Sequence, residues 1–306
     1  MYNNYQQNNL PDITKPFFAY GIFRPGEISF LGIKDCIASI EKSSLNGDLY
    51  WWDGINLFKP SLKSKEIVPG YKIKFKSEKS TQAYDFIEEI EPSLYYWKII
   101  RDQNVLAGVI SYDTLETFHE VECKSVWEDP YFNLNNGNSV INYLKNYKSK
   151  DDFSFLSVFE LQMHYLALWS VIERFITLRY GTTQGRNKLA KSQYFKDKLE
   201  EVTKEERRII YSTQDDKRLI LNATNDDRNE AAERCRNLSE NWELEQSIAY
   251  YYQIRCNITH RGKALSRDLE IIKKSFNELL QIMEYVLIET KKECEKIKQK
   301  YERRTN

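Results

Sequence analysis

Arg255-Cys256-Asn257-Ile258-Thr259-His260-Arg261-Gly262-Lys263 is the stretch that decides how the second half of this chain reads. It follows Tyr250, Tyr251 and Tyr252 and runs into a glycine, the pattern of an aromatic helix reaching its end. The flanking sequence is helical too. From Phe155 to Tyr180 apolar residues recur at helical spacing (Phe159, Met163, Leu166, Trp169, Ile172, Ile176), and Gly181 follows as a C-cap. Lys188 to Val202 and Lys204 to Tyr211 read as shorter amphipathic pieces, and Glu240 to Cys256 as a second long helix. Ser266 caps a last helix, with Asp268 and Glu270 in its first turn, where the helix dipole favours acids. Its stripe is Leu269, Ile272, Phe276, Leu279, Met283 and Val286, and from Lys291 to Arg304 it reads as solvated charge. Few glycines and no strand-like alternation predict an all-α, up-and-down bundle over 153–306.

Arg255 and His260 stand with four residues between them, and His260 is one of only three histidines. A guanidinium neutralises a phosphate whose charge grows in a transition state. An imidazole moves protons near neutral pH. Together they suit cleavage of RNA without a metal. The same residues also have a plain structural reading, in which the arginine satisfies the last carbonyls of a helix and the histidine caps the turn. Arg255, Arg261, Lys263 and Arg267 form a local cationic patch with no acid between 255 and 267. Glu173 borders the core face of the long helix, where it could orient Arg255 or reach for solvent. His119 and His164 lack partners at metal-ligand spacing and read as structural, so no metal is expected. The tyrosines at 250–252 read as packing residues, with stacking on an RNA base as the other use.

This half resembles the HEPN superfamily of helical bundles on the Arg-x4-His spacing, on Arg261-Gly262-Lys263 after the histidine, and on Trp169 to Phe175. The resemblance implies a ribonuclease in which a ribose 2′-OH attacks the adjacent phosphate, leaving a cyclic phosphate end. It implies Arg255 and His260 as catalytic, Asn257, Arg261 and Lys263 as substrate-binding, Glu173 as supporting, and a homodimer pairing two motifs across one cleft. The family's usual polar residue after the arginine is here Cys256, with Asn257 one later.

The first half reads differently. Short runs of β-branched and aromatic residues alternate with turn signals from Phe17 to about Phe118. Asn46 to Trp52 ends at Asp53-Gly54, a tight-turn pair, and Pro69-Gly70 opens the strict alternation of Tyr71 to Lys76. Gln82 to Ile90 reads as a short helix. Tyr95–Ile100 and Val105–Tyr112 read as a hairpin around Asp102-Gln103-Asn104. A small barrel or curved mixed sheet is predicted, making the whole chain α+β. The expected division is a disordered tail at 1–16, a β-rich domain at 17–118, a connector at 119–152 and the helical domain at 153–306.

Within the β-rich half, Tyr20-Gly21-Ile22-Phe23-Arg24-Pro25-Gly26 places a glycine directly after the first strand, where backbone N–H groups can converge on a carboxylate. This stretch resembles the opening motif of the gamma-glutamylcyclotransferase-like family, and Ile87-Glu88-Glu89-Ile90-Glu91-Pro92 occupies the place of its acidic motif. With the Gly47–Tyr50 strand, the resemblance covers roughly residues 17–113. It implies Glu91 as the acid–base residue, and Tyr20, Gly21, Ile22, Phe23 and Tyr95 (or Tyr96) around a gamma-glutamyl or amine ligand that cyclises to 5-oxoproline. Ile22 and Phe23 replace a small polar residue and a leucine, and Pro92 replaces a glycine.

Bulk properties add limits. The chain has 306 residues, a two-domain length, and its 45 basic and 45 acidic residues balance. RNA is therefore drawn by a local patch and not by net charge. Five scattered cysteines without a Cys-x-x-Cys pair suggest a reducing cytoplasm. No apolar run approaches the roughly 18 residues that span a bilayer, and Met1 to Asn9 lacks the order of a signal peptide. Three functions follow as expectations. The first is a cytoplasmic HEPN-type endoribonuclease of toxin or phage-defence kind, acting on RNA, restrained by a neutralising antitoxin and coupled to a ligand-sensing domain, with no cofactor. The second is a gamma-glutamylamine cyclotransferase dimerised through an inactive helical scaffold. The third is a non-enzymatic binding protein.

Overall fold

A computed structural model describes residues 10–52, 55–61, 63–91, 95–108, 122–124, 134–147, 154–203, 244–261 and 266–303. The chain divides into two compact units, one from Met1–Asn133 with Lys291–Asn306 and one from Leu134–Thr290. It is a mixed α and β protein, with a nearly closed sheet in its N-terminal part and helices in its C-terminal part.

The first unit is built on strands β1 (Phe17–Ala19), β2 (Ile37–Trp52), β3 (Ile55–Pro60), β4 (Ile67–Phe75), β5 (Tyr95–Ile100), β6 (Gln103–Gly108) and β7 (Glu122–Lys124). Along the sheet the order is β3-β2-β4-β1-β6-β5, with β7 beside β2. β1 runs parallel to β6, and the other pairs are antiparallel. The sheet curls because β2 serves two neighbours. Ile37 to Asn46 pairs with β4, and Gly47 to Trp52 pairs with β3. The corner is Gly47, whose φ of +154° and near contact with the Lys59 carbonyl leave no room for a Cβ. The two ends of the sheet then approach each other. The Tyr95 hydroxyl on β5 donates to the Asn56 carbonyl on β3 at 2.6 Å, and Gly108 on β6 lies against Leu57. Inside sits one apolar cluster of Phe18, Tyr20, Leu45, Leu49, Phe58, Val68 and Val105, drawn from five strands and the loop after β1.

Helix α1 (Phe30–Ile33) is a single turn, and α2 (Ser80–Ile90) buries Ala83, Tyr84, Ile87 and Ile90 at helical spacing. The β5–β6 hairpin turns at Arg101-Asp102, both at positive φ (47° and 63°), not at residues 102–104. The sequence carries no glycine there to announce a two-residue turn. The tail expected to be disordered over 1–16 is anchored from Asp12 onward, while 1–9 lie outside the described residues. Buried Asn104 holds it: its Nδ2 donates to the Asp12 carbonyl (2.7 Å), and its Oδ1 accepts from the Asp12 N–H (3.1 Å). Ser80 also donates to the Ile13 carbonyl. The turn pair Asp53-Gly54 lies outside the described residues, although Trp52 and Ile55 on either side are paired.

The second unit contains α3 (Leu134–Lys145), α4 (Phe155–Tyr180), α5 (Gly185–Lys191), α6 (Gln193–Thr203), α7 (Leu244–Arg261) and the first part of α8 (Ser266–Arg303). Helix α3 falls inside the expected connector and buries Leu134, Gly137, Ile141 and Leu144. Ser154 caps α4 by accepting from the Ser157 N–H, and Gly181 ends it at φ +79°. The buried face of α4 runs through Val158, Leu161, Tyr165, Leu168, Trp169, Ile172 and Phe175. Phe159 and Met163, read as stripe residues, are instead exposed. Apolar residues lie on both sides of this helix, so spacing alone does not select the face. By length and composition α4 could cross a membrane, which corrects the expectation that no run suffices; half of its most apolar window is buried, a state compatible with a core helix of a soluble protein. The amphipathic stretch after Lys188 is two helices broken at Ser192, and 204–211 lie outside the described residues.

The end of α8 is mostly solvated charge, as expected, with a few residues turned inward. Cys294 is buried, Tyr301 meets Phe30 edge-on at 5.9 Å, and Lys34 pairs with Glu293. Lys298 lays its stem over Gly26, which sits at φ +99°. These contacts belong to the first unit.

Candidate functional site

Each unit carries one constellation. In the first unit it forms where β1 leaves the sheet. The Tyr20 ring packs on Phe58 at 5.1 Å, and its hydroxyl donates to the Leu106 carbonyl at 2.9 Å. Burial pushes this phenol well above its usual range, and the Glu91 carboxylate adds to the push. A backbone N–H at Phe58 pulls the other way. Tyr95 behaves alike: burial dominates, with Tyr20 and Glu91 contributing. One carboxylate therefore acts on two phenols that remain neutral at physiological pH. Tyr96 is also raised by burial, without a contribution from Glu91, so Tyr95 is the tyrosine of this group.

Glu91 reaches this place because α2 stops there. Its N–H closes the helix on the Ile87 carbonyl (3.1 Å), and its own backbone is extended. The neighbouring acids are sorted by the fold. Glu88 accepts from the Trp97 indole N–H at 2.8 Å and is thereby committed to the sheet. The loop after Tyr20 begins with a turn in which Arg24 N–H donates to the Gly21 carbonyl (3.1 Å). Ile22 packs against the apolar cluster, and the Phe23 ring is buried, 5.9 Å from Phe17. Phe23 can therefore offer a ligand only its backbone. Arg24 pairs with Glu27 at 3.6 Å. Asn56, whose carbonyl anchors Tyr95, was not singled out by the sequence, which gave it no motif.

In the second unit the constellation lies on α7. Tyr250 and Tyr251 are core residues, and the Tyr251 hydroxyl donates to Glu278 at 2.6 Å. Tyr165 donates to the Tyr251 carbonyl (2.9 Å), its phenol raised by burial. Tyr252 is only half-buried. Trp169 meets it edge-on at 5.5 Å, the Arg255 guanidinium lies 5.7 Å from its ring centre, and that of Arg186 sits over the ring at 3.7 Å. Arg255 is 3.8 Å from Glu173, so the glutamate is close enough to orient it. Helix α7 continues through His260 to Arg261, past the expected end at Cys256. As backbone positions, 255 and 260 stand about 7.5 Å apart along one axis and about 140° around it. The side chains of Asn257, His260 and Arg261, and all of Lys263, lie outside what is described. His164 stacks on Tyr147 at 3.8 Å with Nδ1 2.6 Å from the Glu160 carbonyl, a structural setting; His119 lies outside the described residues.

Comparison with protein-family models, curated proteins and solved structures finds no match for this chain.

Proposed function

We propose that the helical half of this protein is a metal-independent endoribonuclease. The observation that carries it is Arg255: a cation beside the half-buried Tyr252, held at one long ion pair by Glu173, on the same helix as His260. A guanidinium with a distant counter-charge keeps donors for a phosphate. In the proposed step a ribose 2′-oxygen bonds to phosphorus while the bond to the 5′-oxygen breaks. The 2′-hydroxyl proton goes to a base, and the 5′-oxygen receives a proton from an acid. His260 takes one of these roles, and Arg255 braces the phosphoryl charge. The wide angle between positions 255 and 260 favours a site shared by two copies, so the reading includes a homodimer acting in the cytoplasm, in a toxin or phage-defence setting with an antitoxin. Asn257, Arg261 and Lys263 would contact the strand. The test is purified protein on RNA in excess chelator. Cleavage with 2′,3′-cyclic phosphate ends, lost in Arg255→Ala and His260→Ala, supports the reading; unchanged cleavage in both variants removes it.

A second reading concerns the first unit, and the shared influence of Glu91 on Tyr20 and Tyr95 favours it. Here the HEPN-type half is a scaffold, and Glu91 moves the proton from the α-amine of a gamma-glutamyl amine to its leaving nitrogen. Glu91→Gln would then abolish 5-oxoproline release, and His260→Ala would leave it intact. Under the first reading the same site holds a gamma-glutamyl or amine ligand as a sensor.

A further inference from the structure

The run from Arg174 to Lys196 contains six basic residues (Arg174, Arg179, Arg186, Lys188, Lys191, Lys196) and no acid over 23 positions. The neutral total charge of the chain hides this concentration. The run covers the end of α4, the Gly181–Gln184 connection, α5 and the start of α6. Helix α5 packs on α7 and on α4, and so brings this run to the Tyr252–Arg255 constellation.

The decisive contact is Arg186 on Tyr252. The guanidinium carbon sits over the ring, 3.7 Å from its centre, a distance that suits stacking, and the residue is exposed. Stacking uses the face of the guanidinium and leaves its N–H edges for an anion. No carboxylate pairs with Arg186 among the described residues. The Arg179 guanidinium lies over the Tyr180 ring, 5.0 Å from its centre, and Lys188 Nζ donates to the Tyr180 carbonyl at 2.8 Å, so a second pair of cations is held one helix end away. Cations interleaved with aromatic rings along an acid-free stretch of sequence suit a flexible polyanion with stacking groups. A nucleic-acid strand repeats a charge and a stacking ring at every unit, whereas the carboxylates and rings of a folded acidic protein are irregularly placed.

We infer that Arg174–Lys196 is the docking tract for the phosphodiester backbone of single-stranded RNA, with Arg186, seated on Tyr252, delivering the strand to Arg255. This rests on the ribonuclease reading and adds the residues that hold substrate outside the reacting linkage.

The experiment uses the full chain and a fluorescent 2′-O-methyl oligoribonucleotide, which lacks the attacking hydroxyl, so that binding is read without cleavage. Arg186→Ala should weaken binding roughly tenfold. A triple variant with Gln at 179, 186 and 188 should flatten the dependence of log Kd on log salt by about 2. Arg186→Lys should keep the salt slope and still lose affinity, which separates the stack from the charge. Unfolding midpoints matching wild type exclude a folding defect, and a variant that misfolds is replaced by Lys188→Gln with Lys191→Gln. If the oligonucleotide binds all variants as it binds wild type, while His260→Ala still abolishes cleavage, the tract is wrong and the nuclease stands. If wild type neither binds nor cleaves RNA, both fall. Equal displacement by a poly-glutamate peptide overturns the inference in favour of an acidic protein partner.

Discussion

Under the proposed ribonuclease reading, replacing Glu173 with glutamine separates catalysis from stability in the helical half. The carboxylate lies 3.8 Å from the Arg255 guanidinium, with side-chain exposures of 47% and 26%. At that separation unit charges attract by about 4 kcal/mol at an effective dielectric of 20 and about 1 kcal/mol in water. The exposure of Glu173 places the pair near the aqueous end, where double-mutant cycles give about 0.2–1 kcal/mol. Glu173→Gln should therefore lower unfolding free energy by under about 1 kcal/mol, a Tm change of a few degrees at most. The consequence for aim is larger. Arg255 would keep Tyr252 as its neighbour but lose its electrostatic brace, and a misplacement near 1 Å at a reacting centre costs on the order of a hundredfold in rate. Single-turnover cleavage of a labelled RNA should fall ten- to a hundredfold, with urea unfolding nearly unchanged. Cleavage at the wild-type rate would refute the argument that Glu173 positions Arg255. A stability loss above about 3 kcal/mol would show instead that the pair is structural.

Asn104→Leu should destabilise the protein by about 2 kcal/mol, because it strands the Asp12 N–H and carbonyl and removes the donor to the Tyr84 hydroxyl, which keeps its own bond to the Lys15 carbonyl; urea unfolding and proteolysis near Asp12 measure it, and a loss under about 0.5 kcal/mol would show those groups finding other partners. Tyr20, Tyr84, Tyr95 and Tyr165 all have phenols raised by burial. Their folded values exceed the unfolded value of about 10, so the stability they contribute is complete below that pH and declines as pH climbs above it. Ultraviolet titration should therefore show these four ionising only together with alkaline unfolding; smooth titration of every phenol near pH 10 in the folded protein would contradict the burial of this core.

The sheet was legible where pattern and burial agree. Tyr71 to Lys76 alternates, and in β4 Ile73 and Phe75 point inward as that alternation requires. The hairpin turn was misplaced because Arg101 adopts a left-handed backbone without the glycine that normally marks one. The end of α8 is solvated for most of its charges, and its few inward contacts were missed for a different reason. Those contacts (Tyr301 against Phe30, Glu293 with Lys34) meet residues more than 250 positions earlier, which local spacing cannot report. In the candidate sites, Tyr20, Glu91 and Tyr95 were legible as motif members, and the fold adds that Glu88, three residues earlier, is bonded to the Trp97 indole. For Glu173 helical periodicity left two readings, orienting Arg255 or reaching for solvent, and the residue is both 3.8 Å from Arg255 and exposed. Arg186 was not legible, since its ring partner is on another helix, yet the acid-free run around it was visible in the sequence as charge segregation.

The most direct test of the central claim is the chemical end left on RNA by the full-length protein in excess chelator, compared between wild type and His260→Ala. The account predicts 2′,3′-cyclic phosphate and free 5′-hydroxyl ends from wild type, and intact RNA from the variant. Cleavage that needs an added divalent ion, or that leaves 5′-phosphate ends, or that persists in His260→Ala, would contradict it.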